Sequence, residues 1–460
     1  MKNVQINSKL VKKGDIFIAI TCPELEENIG EAWSNGAIAV FAENSVDERV
    51  ILVKDARLAA SRLAKFRHCN QPELCIAITG TNGKSSVAHF LRQIWSYTGH
   101  TAASHGTLGL YVGNNAEQPA NIAVPDLTTP DPVTLHRILE YLYENEVTHF
   151  VFEASSHALD QKRLHSVKLD AAAFTNLASD HLDYHKTQDA YLFAKLRLFK
   201  EILCNDRPAI ASRDDPVIYE KIFKLNKNVV SFGFDSRNLI RAENIEVSQH
   251  KVMFDLIFGE RKFDKTEINL VGKLQVTNIL CAIALASSVG LNVEDIVSIL
   301  QNIRPLTGRM EYVTQYNGGA IYVDFAHTSD GVKNALSNFK KLCAGNLICI
   351  FGCGGNRDRE KRSEIGRIVD SLADILIVTD DNPRTENPEK IRKEIMTGCH
   401  NAVEIASRRE AIRYGMAKMQ KGDFLVILGK GHENFQIYGD EKMPFNDMEE
   451  VLKIAAINTL

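Results

Sequence analysis

The stretch Leu74-Cys-Ile-Ala-Ile78, followed at once by Thr79-Gly80-Thr81-Asn82-Gly83-Lys84-Ser85-Ser86, decides how the chain is read. A short apolar run closed by a turn signal reads as a buried strand, and the apolar pattern continuing to Tyr97 reads as a helix. A glycine loop between a strand and a helix lets backbone N–H groups approach phosphate oxygens. The helix start favours anions, Lys84 adds a cation and Ser85 a hydroxyl suited to Mg2+. Ile78 stands where the general phosphate-loop pattern has a glycine, so a Gly-rich turn with a chance Lys-Ser is the alternative. The flanking strand and helix favour nucleotide binding.

Working outward, His149–Phe152 and Ala171–Phe174 read as further strands, ending at Glu153 and at Thr175-Asn176. They alternate with helical stretches over Val133–Tyr143 and Asp189–Leu203, the pattern of a doubly wound α/β domain. That domain closes near Asn302, before the loop at Arg304-Pro305. The last third repeats the alternation, with strands Ala320–Val323, Leu347–Phe351, Ile375–Val378 and Phe424–Leu428. Each ends in a polar cluster, and ligands of parallel sheets bind beyond the carboxyl ends of strands. Before residue 74 the reading is a small mixed segment. It has strands Asp15–Ile20 and Ala37–Ala42, a loop over Thr21–Ile29, a helix over Arg57–Phe66 and a linker at His68–Pro72.

At about 150 residues per domain, 460 residues suggest about three domains, placed at 1–73, 74–304 and 305–460. The 54 basic and 58 acidic residues leave a net charge of -4, which argues against non-specific nucleic-acid binding. Anionic ligands must then be held by local clusters. The amino end lacks an apolar run long enough for a signal peptide, and no apolar stretch approaches a spanning helix. Nine dispersed cysteines without a C-x-x-C pair read as reduced thiols. The expectation is a cytoplasmic chain without a membrane span, acting as a monomer.

Residue chemistry narrows this. Glu153, at a strand end, is a reasonable Mg2+ ligand because hard cations prefer carboxylate oxygen. His181 and His185, four apart, have the spacing to share a helical face, though this alone supports a zinc site only weakly. Lys195 lies in an apolar helical stretch, where the plain reading is a lysine stem snorkelling to water. Gly308-Arg309 by itself is equally a turn.

Thr79-Gly-Thr-Asn-Gly-Lys-Ser resembles the ATP loop of Mur ligases and of their relatives, the folylpolyglutamate synthetases. Glu153-Ala-Ser-Ser-His-Ala-Leu, Asn176-Leu-Ala-Ser-Asp-His-Leu-Asp-Tyr-His and Asp324-Phe-Ala-His-Thr resemble stretches of the Mur ligases that add the third peptide residue. The resemblance implies a three-domain α/β architecture: a small, shortened amino-terminal domain for uridine recognition, a central ATPase-like domain and a Rossmann-like last domain. It implies an ATP- and Mg2+-dependent, ADP-forming ligase of peptidoglycan synthesis. Such an enzyme activates UDP-N-acetylmuramoyl-L-alanyl-D-glutamate as an acyl phosphate and joins it to meso-diaminopimelate.

Residue by residue, the resemblance carries over catalytic roles to Lys84, Glu153, His181 and Lys195. Of these, His181 is a Mg2+ ligand beside Ser85 and Glu153, and Lys195 is carbamylated so that it too can bind Mg2+. ATP contacts fall on Gly80 to Ser86, Asn278, Arg309, Asp324 and His327. Acceptor contacts fall on Ser8, Thr128, Thr129, Ser155, Gln161 and Arg163, and amino-acid contacts on Arg357, Asn382, Arg384, Gly429 and Glu433.

Arg384, in Asp381-Asn-Pro-Arg, is the most informative of these. Diaminopimelate differs from lysine by a second carboxylate, which an arginine fork binds bidentately; a surface salt bridge is the alternative role. The chain departs from the family at Asn7-Ser8-Lys9, at Thr21–Ile29, and at Leu127, Phe325, Ser329 and Asn356. A lysine-adding sister enzyme would lack the Asn-Pro-Arg arrangement. The Asp324 and Gly429-Lys-Gly-His-Glu clusters disfavour a folylpolyglutamate synthetase. A catalytically silent nucleotide-binding regulator would have little need of Lys84, Glu153, His181 and Lys195 together.

Overall fold

The computed structural model describes residues 3–113, 122, 127–178, 180–226, 228–248 and 251–457. Four short parallel strands open the chain in the order β1 Val4–Gln5, β2 Ile16–Ile18, β3 Ala39–Ala42 and β4 Ile51–Leu52. Thr21–Ile29, expected as a loop, instead runs into a helix from Leu25 to Ser34. Its Leu25, Ile29 and Ala32 are buried against Phe17 and Val40, so the apolar spacing wins over the polar flanks. The helix Ala56–Arg67 begins with the side chain of Asp55 accepting the Leu58 amide, a standard end-cap for otherwise unpaired N–H groups.

The central strands are β5 Leu74–Thr79, β6 Ala102–Gly106, β7 Gly109–Val112, β8 His149–Glu153, β9 Ala171–Phe174, β10 Ala209–Ser212 and β11 Val229–Gly233. Their order is β11-β10-β9-β5-β8-β6-β7, parallel except for β7. Each of β5, β8, β9 and β10 is almost wholly buried, as strands covered on both faces must be. The phosphate-loop strand β5 therefore lies between β8 and β9, with Ile78 opposite Glu153 and Thr79 opposite Phe174. Its successor β6 lies to one side and β9 to the other, so the chain reverses direction across the sheet at β5. Such a reversal opens a crevice at the carboxyl ends of the strands. The helical stretch expected over Asp189–Leu203 is an α-helix, Gln188–Arg197, that passes into a π turn at Leu198–Ile202. Strands β12 Ile240–Val247, β13 Val252–Phe258 and β14 Arg261–Ile268 follow.

The last third builds a third sheet from β15 Glu311–Tyr316, β16 Gly319–Asp324, β17 Leu347–Phe351, β18 Ile375–Val378, β19 Ala402–Glu404 and β20 Phe424–Leu428. The order is β15-β16-β20-β17-β18-β19, parallel except for β15. The four strands read from sequence are the four consecutive inner ones, so their polar ends line one edge. A hairpin, β21 Phe435–Tyr438 and β22 Glu441–Pro444, follows β20. The chain divides into two compact units: residues 1–242, 256–263 and 277–300, and residues 243–255, 264–276 and 301–460. Among the described residues no helix is long and apolar enough to cross a membrane.

The second unit contains a fully buried ion pair. Arg408 donates to both carboxylate oxygens of Asp447 at 2.7 and 2.8 Å, and also to the Leu428 carbonyl at the end of β20 at 2.8 Å. Both side chains are 0% exposed. Asp447→Ala would leave a buried guanidinium without its counter-charge, which typically costs about 3–5 kcal/mol. Chemical denaturation of this variant is expected to show a large fall in midpoint, and an unchanged midpoint would refute the assignment.

Candidate active site

The first cluster of candidate residues stands at the carboxyl ends of β5 and β8. Gly83 takes a left-handed backbone (φ +86°) to start the helix Lys84–Tyr97, and a side chain there would press within 2.5 Å of Asn278 Oδ1. Only glycine allows that turn with Asn278 packed against it. Lys84 Nζ donates to the Gly80 and Thr81 carbonyls at 3.0 and 2.9 Å, holding its charge over the loop. Asn176 clamps the other side, accepting the Asn82 amide and donating to the Asn82 carbonyl, both at 2.9 Å.

Ser85 Oγ donates to Glu153 Oε1 at 2.7 Å, and the Thr107 amide donates to the same oxygen at 3.0 Å. A hydroxyl and a carboxylate side by side next to a phosphate loop are the hard oxygen donors that Mg2+ takes. Mg2+ usually binds only one or two carboxylates, the substrate phosphates and waters supplying the rest. The residues present therefore fit the ion. Among the described residues no group of three or more His, Cys, Asp or Glu side chains is arranged to hold a metal.

Five of the six acceptor-site candidates form one connected patch beside Glu153. Thr129 Oγ1 donates to the Glu153 carbonyl at 2.7 Å and receives the Ser155 amide at 3.0 Å. Thr128 Oγ1 is 3.1 Å from Thr107 Oγ1. Arg163 donates to the Thr129 carbonyl at 2.6 Å and to Gln161 Oε1 at 2.8 Å. Ser8 makes its contacts within its own segment: its buried hydroxyl is 2.5 Å from Glu31 Oε2 and 3.1 Å from Asn28 Oδ1.

Lys195 does not snorkel. It is 1% exposed, its Nζ donates to the Gly80 carbonyl at 2.7 Å, and it lies 4.4 Å from the Tyr191 ring centroid. Burial, with Lys84 adding to it, holds this amine well below the ordinary lysine range, while Asp180 acts in the opposite direction. Tyr191, not among the residues singled out from sequence, is equally buried, and its hydroxyl is 3.2 Å from Thr81 Oγ1. His181 has φ +53° and stands at the start of the short helix Leu182–His185, its carbonyl accepting the His185 amide at 3.0 Å, and both histidine rings pack near His157 and Tyr191. His181 packs edge-on to His157 at 4.9 Å between ring centroids, with Asp180 Oδ2 at 3.5 Å.

The second unit carries the remaining candidates. Asp324, at the end of β16, spends both carboxylate oxygens on backbone, accepting the Met310 and Ala326 amides at 2.6 and 2.7 Å. Arg309 lies over the Phe325 ring at 4.6 Å, and the exposed His327 packs edge-on to that ring at 4.7 Å between centroids. Beyond β18, Asn382 is buried. Its amide donates to Glu433 Oε2 at 2.7 Å, and its oxygen receives Lys430 Nζ at 3.1 Å and the Ile437 amide at 3.0 Å. Lys430, read from the sequence only within the Gly429-Lys-Gly-His-Glu cluster, is 0% exposed and also pairs with Glu433 at 2.7 Å.

Gly429 adopts φ +107°, and a side chain there would come within 2.6 Å of Asp381 Oδ2. Arg357 is exposed, in the loop after β17. Arg384 is half-buried, donates to the Gly355 carbonyl at 2.8 Å and has no ion-pair partner among the described residues.

The fold and these clusters define an α/β protein with a phosphate-loop turn at the carboxyl edge of one sheet and polar clusters at the strand ends of another. Residues 78–286 match the model of the Mur ligase middle domain, and residues 308–431 that of the Mur ligase glutamate ligase domain. A Rhizobium meliloti (strain 1021) protein named UDP-N-acetylmuramoyl-L-alanyl-D-glutamate–2,6-diaminopimelate ligase is 40% identical over 459 residues, covering 98% of this chain and 93% of the relative. A Rickettsia rickettsii protein of the same name is 40% identical, covering 98% and 95%. A solved structure of an enzyme with that name superposes with a TM-score of 0.73 at 29% identity, covering 100% of this chain and 96% of the other. The chain belongs to the Mur ligase family.

Lys84→Ala should lower turnover by roughly 10²–10³, the usual effect of removing one preorganised charge from a transferring group. Steady-state rates on variant protein with an unchanged circular dichroism spectrum check this; near-normal turnover would refute the assignment of the loop.

Proposed function

We propose that this chain is the ATP-dependent ligase that joins meso-2,6-diaminopimelate to UDP-N-acetylmuramoyl-L-alanyl-D-glutamate in peptidoglycan precursor synthesis. The observation that carries the amino-acid choice is Arg384. Its guanidinium is half-buried, has one backbone acceptor and no carboxylate partner among the described residues, and stands next to Asn382. An arginine placed so is a fork awaiting a ligand carboxylate. The relatives named above supply the rest of the reading.

Chemistry proceeds in two displacements. The acceptor's terminal carboxylate oxygen attacks the γ-phosphorus of ATP, releasing ADP and leaving an acyl phosphate. The amine of diaminopimelate then attacks the acyl carbon, and phosphate leaves as the amide forms and the nitrogen loses its proton. Lys84 and the N–H groups of the loop bind the phosphates. Ser85 and Glu153, with His181 and a carbamylated Lys195, would hold Mg2+, which would supply charge neutralisation at the phosphoryl oxygens. Thr128, Thr129, Ser155, Gln161 and Arg163 orient the acceptor. Glu433, anchored by Lys430 and Asn382, receives an ammonium group of the incoming amino acid, and Arg384 its distal carboxylate.

Lys195 suits carbamylation, because CO2 adds only to a neutral amine and burial favours that form. Lys195→Ala is expected to be nearly inactive and partly restored by added short carboxylic acids. Carbon-13 NMR with labelled bicarbonate should show a carbamate in the wild type, and its absence in active enzyme would overturn this role.

Diaminopimelate should be used far better than lysine, since a site built around a polar group can reject an analogue lacking it by roughly 10⁴–10⁵. Arg384→Ala should collapse diaminopimelate use while changing ATP and UDP-dipeptide KM little. Arg384→Lys should rescue little, because a point charge does not reproduce the fork. An amino-acid panel read by product mass decides; equal use of lysine by the wild type would overturn the named substrate.

A further inference from the structure

The hairpin Phe435–Pro444 lies outside every motif used so far, yet it grips the Asp380–Arg384 segment along its whole length. Gln436, 7% exposed, donates through Nε2 to the Asp380 carbonyl at 3.2 Å and the Asp381 carbonyl at 2.9 Å. The Ile437 amide donates to Asn382 Oδ1 at 3.0 Å, and the Ile437 carbonyl accepts the Arg384 amide at 3.0 Å. The Arg384 carbonyl in turn accepts the Gly439 amide at 2.7 Å. Tyr438 Oη donates to Asp380 Oδ2 at 3.0 Å, and Arg384 and Tyr438 form an isolated parallel bridge.

These contacts have a purpose visible at Arg384, whose φ is +53°. The left-handed region is unfavourable for a residue with a Cβ, and such a conformation persists only where its surroundings over-determine it. The two backbone hydrogen bonds from Ile437 and Gly439 supply that. In an extended conformation the chain would aim the Arg384 side chain elsewhere, and its contact with the Gly355 carbonyl at 2.8 Å would be lost. The direction of the guanidinium is thus set by a hairpin about fifty residues further along the chain.

We infer that the hairpin Phe435–Pro444 is a specificity-determining element, with Gln436 the positioning residue that fixes Arg384 for the distal carboxylate of the incoming amino acid. This rests on the diaminopimelate reading above. Gln436 touches no substrate; it acts by holding the two carbonyls that precede Asn382.

Gln436→Met keeps the length and bulk of the side chain and removes both donated hydrogen bonds. It is expected to raise the diaminopimelate KM roughly tenfold, with ATP and UDP-dipeptide KM changing less than about twofold. Preference over lysine should shrink by a similar factor. In the Arg384→Ala background the same substitution should add almost nothing, since residues acting through one group are non-additive.

Tyr438→Phe, which loses a single hydroxyl, should move the same ratio in the same direction by a smaller factor, and it serves where Gln436→Met does not fold. An unchanged diaminopimelate KM in a folded variant overturns the inference. So does an equal loss for all three substrates, or full additivity with Arg384→Ala. A wild type that accepts lysine equally overturns the substrate reading instead, whatever the hairpin variants do.

Discussion

The hydrogen bond from Ser85 to Glu153, 2.7 Å long, expresses the constraint on which the first unit depends. A phosphate loop works only where a strand ends beside a carboxylate on the neighbouring strand. The sheet order achieves this by setting β5 between β8 and β9, in a register that brings Ile78 opposite Glu153. Everything else at this edge follows from that placement. Thr129 and Ser155 gather at the end of β8, Asn176 clamps the loop from the end of β9, and Lys195 reaches the Gly80 carbonyl from the helix Gln188–Arg197. A one-residue slip between β5 and β8 would turn Glu153 to the other face of the sheet.

In the proposed function the second unit answers a different physical demand. Recognising an amino acid by a second carboxylate needs a cation that is directional and kept from neutralisation by the protein's own acids. Nearby carboxylates are engaged elsewhere: Glu386 by Arg362 at 3.0 Å, Glu433 by Lys430 at 2.7 Å, and Asp380 by Arg392 and Tyr438. Arg384 is left with a backbone carbonyl. Holding it there requires a left-handed backbone at a residue with a full side chain, and the hydrogen bonds of the hairpin offset that strain.

Much of the fold was legible because fully buried parallel strands leave unmistakable apolar runs. Ala171–Phe174, Leu347–Phe351, Ile375–Val378 and Phe424–Leu428 match the structure residue for residue. Where burial is slight the signal fades: Ile51–Leu52 is an exposed two-residue strand, and Glu441–Pro444 is exposed throughout. The amphipathic helix Leu25–Ser34 was obscured by its run of glutamates. The candidate site was legible wherever residue type and loop position coincide, as at Lys84, Ser85 and Glu153. Lys430 was legible only as a member of the Gly429-Lys-Gly-His-Glu cluster, because its partner Asn382 becomes a neighbour only when two loops meet.

By itself, then, the sequence determined the strand, glycine loop and helix of the phosphate loop, the run of polar clusters at strand ends, and the arginine that the proposed function assigns to a dicarboxylic amino acid. Those are properties of residue type and short-range spacing, and local chemistry writes them into the chain. Tertiary structure alone decided that Lys195 is buried against Gly80 and not extended to water, that Asp324 supports backbone amides, and that a distant hairpin holds the Arg384 backbone. Each depends on which segments the sheet order brings into contact across tens of residues, and desolvation, register and hydrogen-bond completion act only once those contacts exist.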